Sequence, residues 1–235
     1  MIIIPAYNEA ARIIDSLTAI GLYIEKQDYS CKALVIDDGS TDSTLLICRK
    51  FAQKHPWMQI ISYTRNKGKG HAVRVGILHS TADFYLICDA DLATPIEELD
   101  GFWHYMDEGA DIVIASRPLK GSHLVKRQPL YREMAGRALN HIIRILAVRG
   151  ISDTQCGFKL LRGDAAVRIF RKCEINGWSF DIEALYIAQK LGFDIVEAPV
   201  SWYHRPGSKI RFLRDGMKML RDITRIRKLH RHLKP

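Results

Sequence analysis

Short apolar runs alternate with segments of helical periodicity through the first half of this 235-residue sequence. The apolar runs lie at residues 1–5, 33–36, 60–63, 84–88 and 111–115, and each is short enough to be a buried strand. Strands that alternate with helices pair in parallel, because a parallel connection needs a crossover of about a dozen residues or more. The sequence therefore predicts an α/β fold whose parallel-rich sheet is covered by helices on both faces.

The run at 84–88 leads directly into Asp89-Ala90-Asp91. In open α/β sheets, ligands bind outside the carboxyl ends of the strands. Two carboxylates separated by one residue can both reach one hard divalent cation, and Mg²⁺ commonly shares its coordination shell between carboxylates and substrate phosphates. Asp89 and Asp91 therefore indicate a metal–diphosphate site. A solvated turn after a strand is the alternative that this motif leaves open by itself.

Two more polar loops follow predicted strands. Asp37 and Asp38 come directly after the second run, and the loop at 65–70, Arg-Asn-Lys-Gly-Lys-Gly, comes after the third. This loop is similar to a phosphate cradle, but Gly70 stands where a Walker A loop has Ser or Thr. A flexible basic turn, and aspartates that only form turns, are the alternatives. We expect the three loops to converge at one edge of the sheet.

Capping residues predict where the helices begin. Asn8 is the predicted N-cap of a first helix, and Thr41 or Asp42 is the predicted cap of a second. A third helix is expected from about residue 71 to residue 79, and a last strand at 195–200.

The net charge of +9 is confined to the C-terminal segment. Residues 205–235 hold eleven Lys or Arg and two Asp, whereas residues 1–204 hold 24 basic and 24 acidic residues. Such asymmetry indicates contact with a nucleic acid or an anionic membrane. A nucleic-acid-binding protein is the less favoured of the two, because the chain has no known nucleic-acid motif and its basic tail has few aromatic residues for stacking on bases.

Two segments, at 124–148 and at about 210–229, combine apolar residues at helical spacing with basic residues. A basic amphipathic helix either packs on its own domain or lies in a membrane interface, and the pattern leaves both alternatives open. No run of 18 or more apolar residues exists, so no transmembrane helix is predicted. No signal peptide is predicted, and five cysteines without a C-x-x-C pair indicate reduced thiols in the cytosol.

Together these motifs resemble those of the family 2, GT-A-type glycosyltransferases over nearly the whole chain. The superfamily motifs are residues 4–9, 37–42, 65–70 and 89–91. The more specific motifs resemble the polyprenyl-phosphate branch, and above all the dolichyl-phosphate β-glucosyltransferases, with the dolichyl-phosphate mannose synthases as near relatives. They are Asp-Thr-Gln-Cys-Gly-Phe-Lys at 153–159, Trp-Ser-Phe-Asp-Ile-Glu at 178–183 and Gly-Ser-Lys at 207–209.

The resemblance implies a GT-A fold, which is Rossmann-like with a mixed, mostly parallel sheet, together with amphipathic interfacial helices. It implies a nucleotide-sugar-binding half at 1–120, and an acceptor-side half at 121–204 that contains the amphipathic helix 124–148. A basic amphipathic C-terminal segment at 205–235 completes the chain. Many eukaryotic relatives have an N-terminal membrane anchor, whereas this sequence starts at the first strand, so a prokaryotic enzyme on the cytoplasmic face of a membrane is expected.

The resemblance also implies site residues. The donor-binding residues would be Pro5, Tyr7, Glu9, Asp37, Asp38, Lys69, Asp89, Ala90 and Asp91. The residues that bind the acceptor phosphate would be Arg117, Arg132, Arg137, Arg205 and Lys209. The metal, Mg²⁺ or Mn²⁺, would be held by Asp91 and Asp89. The catalytic residues would be Asp89, Asp91, Arg117 and Asp181.

The implied reaction is an inverting transfer of a hexose from a nucleotide sugar to a dolichyl or polyprenyl phosphate at the membrane surface. The expected donor is UDP-glucose, and GDP-mannose is the alternative. The acceptor oxygen is already anionic near neutral pH, so a strong general base is not needed. Asp181 lies where relatives that act on neutral hydroxyls have a base, and the alternative is that it only orients an arginine or lysine. A binding module without activity is disfavoured by the intact aspartates and arginines.

Overall fold

The computed structural model describes residues 1–124, 143, 146–204 and 212–234, with side chains from residue 218 onward in the last range. The strands are β1 (Ile2–Ala6), β2 (Ala33–Asp37), β3 (Met58–Ser62), β4 (Phe84–Ile87), β5 (Ile112–Ala115), β6 (His123–Leu124), β7 (Lys159–Arg162), β8 (Ile195–Ala198) and β9 (Ser201–Trp202). The described helices are α1 (Ile13–Ile24), α2 (Thr44–Ala52), α3 (Lys69–Leu78), α4 (Leu99–Asp107), α5 (Gly163–Phe170), α6 (Phe180–Lys190) and α7 (Phe212–Leu229).

Seven strands form one sheet in the order β3-β2-β1-β4-β7-β5-β8. β1 to β4 pair in parallel, as do β5 and β8, whereas β7 runs antiparallel to both of its neighbours. The predicted mixed, mostly parallel sheet is therefore confirmed. Because β7 lies between β4 and β5, the two predicted halves of the chain share this sheet.

Each face of the sheet is covered by an apolar core. One core packs α3, α5, α6 and α7 against the sheet, and the other packs α1, α2 and α4 against the opposite face. β1 and β2 are buried on both faces along their whole length, which explains why they are continuous apolar runs in the sequence. The sheet is thereby fixed as a rigid base for the loops at its carboxyl edge.

From residue 218 onward, helix α7 packs on the domain, so this part of its apolar face is not available to a membrane. Its inward residues Met219, Ile223 and Ile226 are buried in the core with α6, and only Leu220 of the apolar positions described there is largely exposed. Of the predicted helix at 124–148, most residues lie outside the described part of the chain. Within the described residues, no helix has the length and apolar character that a membrane crossing requires.

Ile226→Ala is expected to lower the free energy of unfolding by about 2–4 kcal/mol, because it leaves a cavity at a fully buried position. Urea unfolding followed by circular dichroism would measure the change. Leu220→Ala on the same helix, where the side chain is 39% exposed, is the matched control and is expected to change stability by less than about 0.5 kcal/mol. Equal effects of the two substitutions would contradict the packing of α7.

Candidate active site

The polar loops after β1 and β2 are tied together at the carboxyl edge of the sheet. The backbone N–H of Thr41 donates to Asn8 Oδ1 at 2.8 Å, and the N–H of Asn8 donates to Ser40 Oγ at 2.9 Å. Asn8 has a φ of 52° and α1 begins only at Ile13, so the prediction that Asn8 caps this helix is wrong. Its side chain instead joins the loop after β1 to the loop after β2.

Asp38 anchors the third loop to β2. Its buried carboxylate accepts hydrogen bonds from the backbone N–H groups of Lys67 and Gly68, each at 2.8 Å, and from Asn66 Nδ2 at 2.8 Å. These three bonds satisfy much of the acceptor capacity of a carboxylate. The sequence pairs Asp38 with Asp37 as donor-binding residues, and this geometry gives Asp38 a structural task in shaping the site.

Asp37 is buried as deeply, but it keeps an open acceptor. Its Oδ2 accepts a hydrogen bond from the N–H of Ser40 at 3.3 Å, and its buried Oδ1 has no hydrogen-bond partner within the described ranges. A buried oxygen without a partner is costly, and such groups often mark a ligand site. Of the two aspartates, Asp37 is the one with an acceptor oxygen that no described residue satisfies.

The loop at 65–70 is held against the segment that precedes α6. Gly68 has a φ of 104°, and a Cβ at this position would lie 2.3 Å from the carbonyl oxygen of Asn176. The glycine therefore serves a close approach between two backbones, which a side chain would prevent. The following residue, Lys69, is the first of α3 and reaches the D-x-D motif.

Lys69 and Asp89 form the central ion pair of the site. Lys69 Nζ lies 2.5 Å from Asp89 Oδ1 and 5.6 Å from the ring centres of both Trp178 and Phe180. Burial acts to lower the pKa of Lys69, but the charge of Asp89 outweighs it, so the pKa lies above its ordinary value. The lysine therefore stays protonated and can stabilise negative charge on a bound ligand.

Asp91 lies on the other side of the motif, beside Arg12. Its Oδ1 accepts the N–H of Ala93 at 3.1 Å, and its Oδ2 is 3.4 Å from Arg12 Nη1, whose guanidinium also contacts Glu9. Burial and the charge of Asp89 raise the pKa of Asp91. Glu9, which the resemblance places in the donor pocket, is thus linked to the D-x-D motif through Arg12.

The two aspartates of the motif suit a metal that is shared with a substrate. Their side chains keep 38% (Asp89) and 22% (Asp91) of their surface exposed, and carboxylate oxygens are preferred ligands of Mg²⁺ and Mn²⁺. Over the described ranges, no group of three or more His, Cys, Asp or Glu side chains is placed to hold a metal. The remaining ligands would therefore come from phosphates and water.

Arg117 is held at the end of β5 by a two-point contact with Asp153. Its Nε and Nη2 donate to the two carboxylate oxygens at 2.6 and 2.9 Å, and its guanidinium carbon lies 5.4 Å from the ring centre of Trp202. Burial works against the charged guanidinium, but Asp153 raises the pKa of Arg117 above its ordinary value. A fixed, permanently charged guanidinium is suited to bind a phosphate.

Asp181 is buried at the start of α6 and is paired with Lys159. Lys159 Nζ lies 2.6 Å from Asp181 Oδ1 and also donates to the carbonyl oxygen of Cys156. A carboxylate in a buried ion pair is poorly placed to take a proton from a substrate. Of the two alternatives left by the sequence, this contact favours the orienting role of Asp181.

Of the remaining predicted site residues, some lie in the described part of the chain and some lie outside it. Pro5 is buried in β1, Tyr7 is half-buried in the loop that follows, and Ala90 is buried between the two aspartates. The four predicted phosphate-binding residues outside the described ranges are Arg132, Arg137, Arg205 and Lys209.

Sequence reasoning gave no individual role to four residues that contact the predicted ones, although two of them belong to the motif at 153–159: Arg12, Asp153, Lys159 and Trp202. Arg12 stands three residues after Glu9, which is the spacing of an ion pair on a helix, so its contact could have been predicted. The contacts of the others join β5, β7, α6 and β9, and such long-range pairs leave no trace in the spacing of a single sequence.

Residues 1–170 match the family described as glycosyl transferase family 2. The dolichyl-phosphate β-glucosyltransferase of Dictyostelium discoideum is 37% identical over 238 residues, and this match covers 96% of the present chain and 73% of that protein. The family is therefore matched over most of the chain, and a named member is similar along nearly all of it.

Two solved structures have a similar fold at 20% identity. Glucosyl-3-phosphoglycerate synthase of Mycobacterium tuberculosis, in complex with Mn²⁺ and UDP-glucose, aligns with a TM-score of 0.66 over 100% of this chain and 79% of its own. TarS 1–349 of S. aureus, in complex with UDP-GlcNAc, aligns with a TM-score of 0.62 over 96% of this chain, which spans 65% of the TarS chain. These likenesses confirm the predicted GT-A fold, and the family match shows that the chain belongs to glycosyl transferase family 2.

Proposed function

We propose that this protein transfers glucose from UDP-glucose to a dolichyl or polyprenyl phosphate and inverts the anomeric centre. The observation that carries the proposal is the convergence of an acidic pair, Asp89 and Asp91, with two fixed cations, Lys69 and Arg117, at one edge of the sheet. The name of the similar protein in D. discoideum supports glucose and the lipid phosphate as substrates.

The donor would lie over the ends of β1, β2 and β4. The open Oδ1 of Asp37 would accept a hydrogen bond from the base or ribose, and Lys69 would balance the charge of the diphosphate. Asp89 and Asp91 would hold Mg²⁺ or Mn²⁺, and the Mn²⁺ in the mycobacterial synthase structure supports this assignment. When bound, the divalent ion would act as a Lewis acid on the departing diphosphate.

The acceptor would approach from the side of Arg117. Its phosphate oxygen attacks the anomeric carbon as the bond to UDP breaks, and attack on the face opposite the leaving group converts an α-linked donor into a β-linked product. Because this oxygen is already anionic, no residue has to remove a proton. Asp181 would keep Lys159 in place, and Lys159 would add to the positive field of Lys69 and Arg117.

The lipid acceptor also implies a location. A polyprenyl chain stays in the bilayer, so the enzyme has to bind the membrane surface to reach it. We therefore propose a peripheral enzyme that binds the cytoplasmic face of an anionic membrane, attracted there by the basic residues of the C-terminal segment.

The choice of acceptor tests this proposal. With UDP-glucose and Mn²⁺, we expect glucose to be transferred to a short polyprenyl phosphate in detergent, and no transfer to the polyprenol of the same length. The phosphate supplies an anionic nucleophile, whereas the alcohol needs a base. Equal transfer to both acceptors, measured by mass spectrometry of the lipid products, would contradict the proposed acceptor and the role given to Arg117.

Arg117→Lys is expected to lower kcat/KM for the lipid phosphate by about tenfold or more, since lysine cannot make two parallel hydrogen bonds and hold the same position. The KM for UDP-glucose is expected to stay within about twofold, because Arg117 lies on the acceptor side. Steady-state kinetics with each substrate varied in turn would measure both. A rise in the KM for UDP-glucose alone would move Arg117 to the donor side.

A further inference from the structure

The exposed side of α7 has a continuous basic strip. Lys218, Arg221, Arg225 and Lys228 are all exposed, and their spacing of three, four and three residues places them along one side of the helix. Met219 and other buried residues of α7 face the core instead. We call these four residues the basic strip.

Two buried polar contacts fix the basic strip relative to the active site. Asp222, from the turn between Arg221 and Arg225, accepts a hydrogen bond from Ser179 Oγ at 2.6 Å. His230 Nε2, just after α7, lies 2.8 Å from Glu183 Oε1. Ser179 directly precedes α6, and Glu183 lies in its first turn. Helix α7 therefore cannot shift along its axis without breaking these two bonds.

Trp178 lies between the basic strip and the Lys69–Asp89 pair of the active site. The Lys218 Nζ atom is 3.5 Å from the position that a Cβ on Gly177 would occupy, which places the end of the strip beside the neighbouring Trp178. Trp178 is 41% exposed, and its ring centre lies 5.6 Å from the Lys69 Nζ that pairs with Asp89. An exposed aromatic residue next to basic residues is typical of a protein surface at a membrane interface.

We propose that Trp178 and the basic strip form the surface that binds an anionic bilayer, with Trp178 at the level of the lipid headgroups. The proposal rests on the lipid-phosphate acceptor proposed above. The strip binds the anionic headgroups, and the Lys69–Asp89 pair, directly behind Trp178, is brought to the depth at which the acceptor phosphate lies. The apolar residues Met219, Ile223 and Ile226 remain in the core, so this part of α7 binds through charge without inserting.

Vesicle sedimentation tests the strip. The wild-type protein is expected to bind phosphatidylcholine vesicles that contain phosphatidylserine, and to bind vesicles of phosphatidylcholine alone weakly. Arg225→Gln with Lys228→Gln is expected to weaken binding to the anionic vesicles by about tenfold or more. Arg227→Gln with Arg231→Gln removes the same charge from exposed positions outside the strip, and is expected to weaken binding by less than about threefold.

Quenching by brominated lipids tests Trp178 separately. Anionic vesicles with brominated acyl chains are expected to quench the tryptophan fluorescence of the wild-type protein, and Trp178→Phe should remove most of that quenching although Trp57, Trp103 and Trp202 remain. Equal loss of vesicle binding in the two charge variants, or quenching that survives Trp178→Phe, would overturn the proposal. Tight binding to duplex DNA without binding to vesicles would overturn it in favour of a nucleic-acid partner.

An assay in detergent separates this proposal from the proposed function. With a short polyprenyl phosphate that needs no bilayer, the Arg225→Gln and Lys228→Gln variant is expected to transfer glucose within about twofold of the wild-type rate. On vesicles that carry a long polyprenyl phosphate, its rate should fall in parallel with its binding. No transfer by the wild-type protein in detergent would refute the proposed function, whereas an equal loss of activity in both assays would refute the membrane surface.

Discussion

Asp91→Ala is expected to lower metal-dependent sugar transfer by at least about a hundredfold while the fold is kept. Loss of a group in the second shell of a metal typically costs about 10–100-fold, and Asp91 is proposed as a direct ligand. The side chain lies in the turn after β4, outside the apolar core, and keeps 22% of its surface exposed, so its removal opens no cavity in the core. The measurements are the initial rate of transfer across a Mn²⁺ titration, and Mn²⁺ binding in the presence of UDP.

Asp107→Ala is the matched control for this substitution. Asp107 is an exposed aspartate at the end of α4, away from the carboxyl edge of the sheet, so wild-type rates and Mn²⁺ affinity are expected. Full activity of the Asp91→Ala variant in excess EDTA would remove the metal site from the proposal.

Gly157→Ala is expected to lower sugar transfer by about as much as Asp91→Ala, although it adds only one methyl group. A Cβ at this position would lie 2.1 Å from Asp89 Oδ2 and 2.4 Å from its Cγ, far inside any contact distance. Asp89 has little room to yield, because its other oxygen is bound by Lys69 at 2.5 Å. The carboxylate must therefore shift, and a displacement of about 1 Å in a catalytic site can cost about a hundredfold in kcat/KM.

Gly101→Ala provides the control for this glycine. No atom lies within 4 Å of a Cβ built at Gly101 in α4, so this substitution should leave activity unchanged and stabilise the helix by about 0.5–1 kcal/mol. Comparison of the two variants by kinetics and thermal unfolding separates displacement of Asp89 from a general effect of alanine. Wild-type kinetics in the Gly157→Ala variant would show that Asp89 does not need its observed position.

The sequence predicts the fold well where local pattern and burial agree. β1, β2 and β5 are apolar runs because both faces of the sheet are covered, and each was predicted to within about two residues. β7 is not predicted, because its short run includes Lys159, a charged residue that is buried in contact with Asp181 and the carbonyl oxygen of Cys156. A buried charged residue interrupts the apolar pattern by which a core strand is predicted from sequence.

The site, like the fold, has parts that the sequence predicts and parts that it does not. Asp89, Asp91 and Lys69 could be predicted as neighbours, since motifs that follow parallel strands meet at one edge of the sheet. The individual contacts of site residues could not be predicted, as Asp37 and Asp38 illustrate. These two residues are adjacent in sequence and both are buried. Yet Asp38 anchors the loop at 65–70, whereas Asp37 has an acceptor oxygen without a partner among the described residues. For α7, periodicity indicated an apolar face but not its partner, which is the core of the domain.

The most direct test of the central claim is a transfer assay in which UDP-glucose and GDP-mannose are offered side by side. The reaction would contain Mn²⁺ and a short polyprenyl phosphate in detergent, and the lipid product would be analysed for its sugar and its anomeric configuration. We predict transfer of glucose alone, with a β-linked product. Transfer of mannose in preference to glucose, or an α-linked product, would contradict the proposed function.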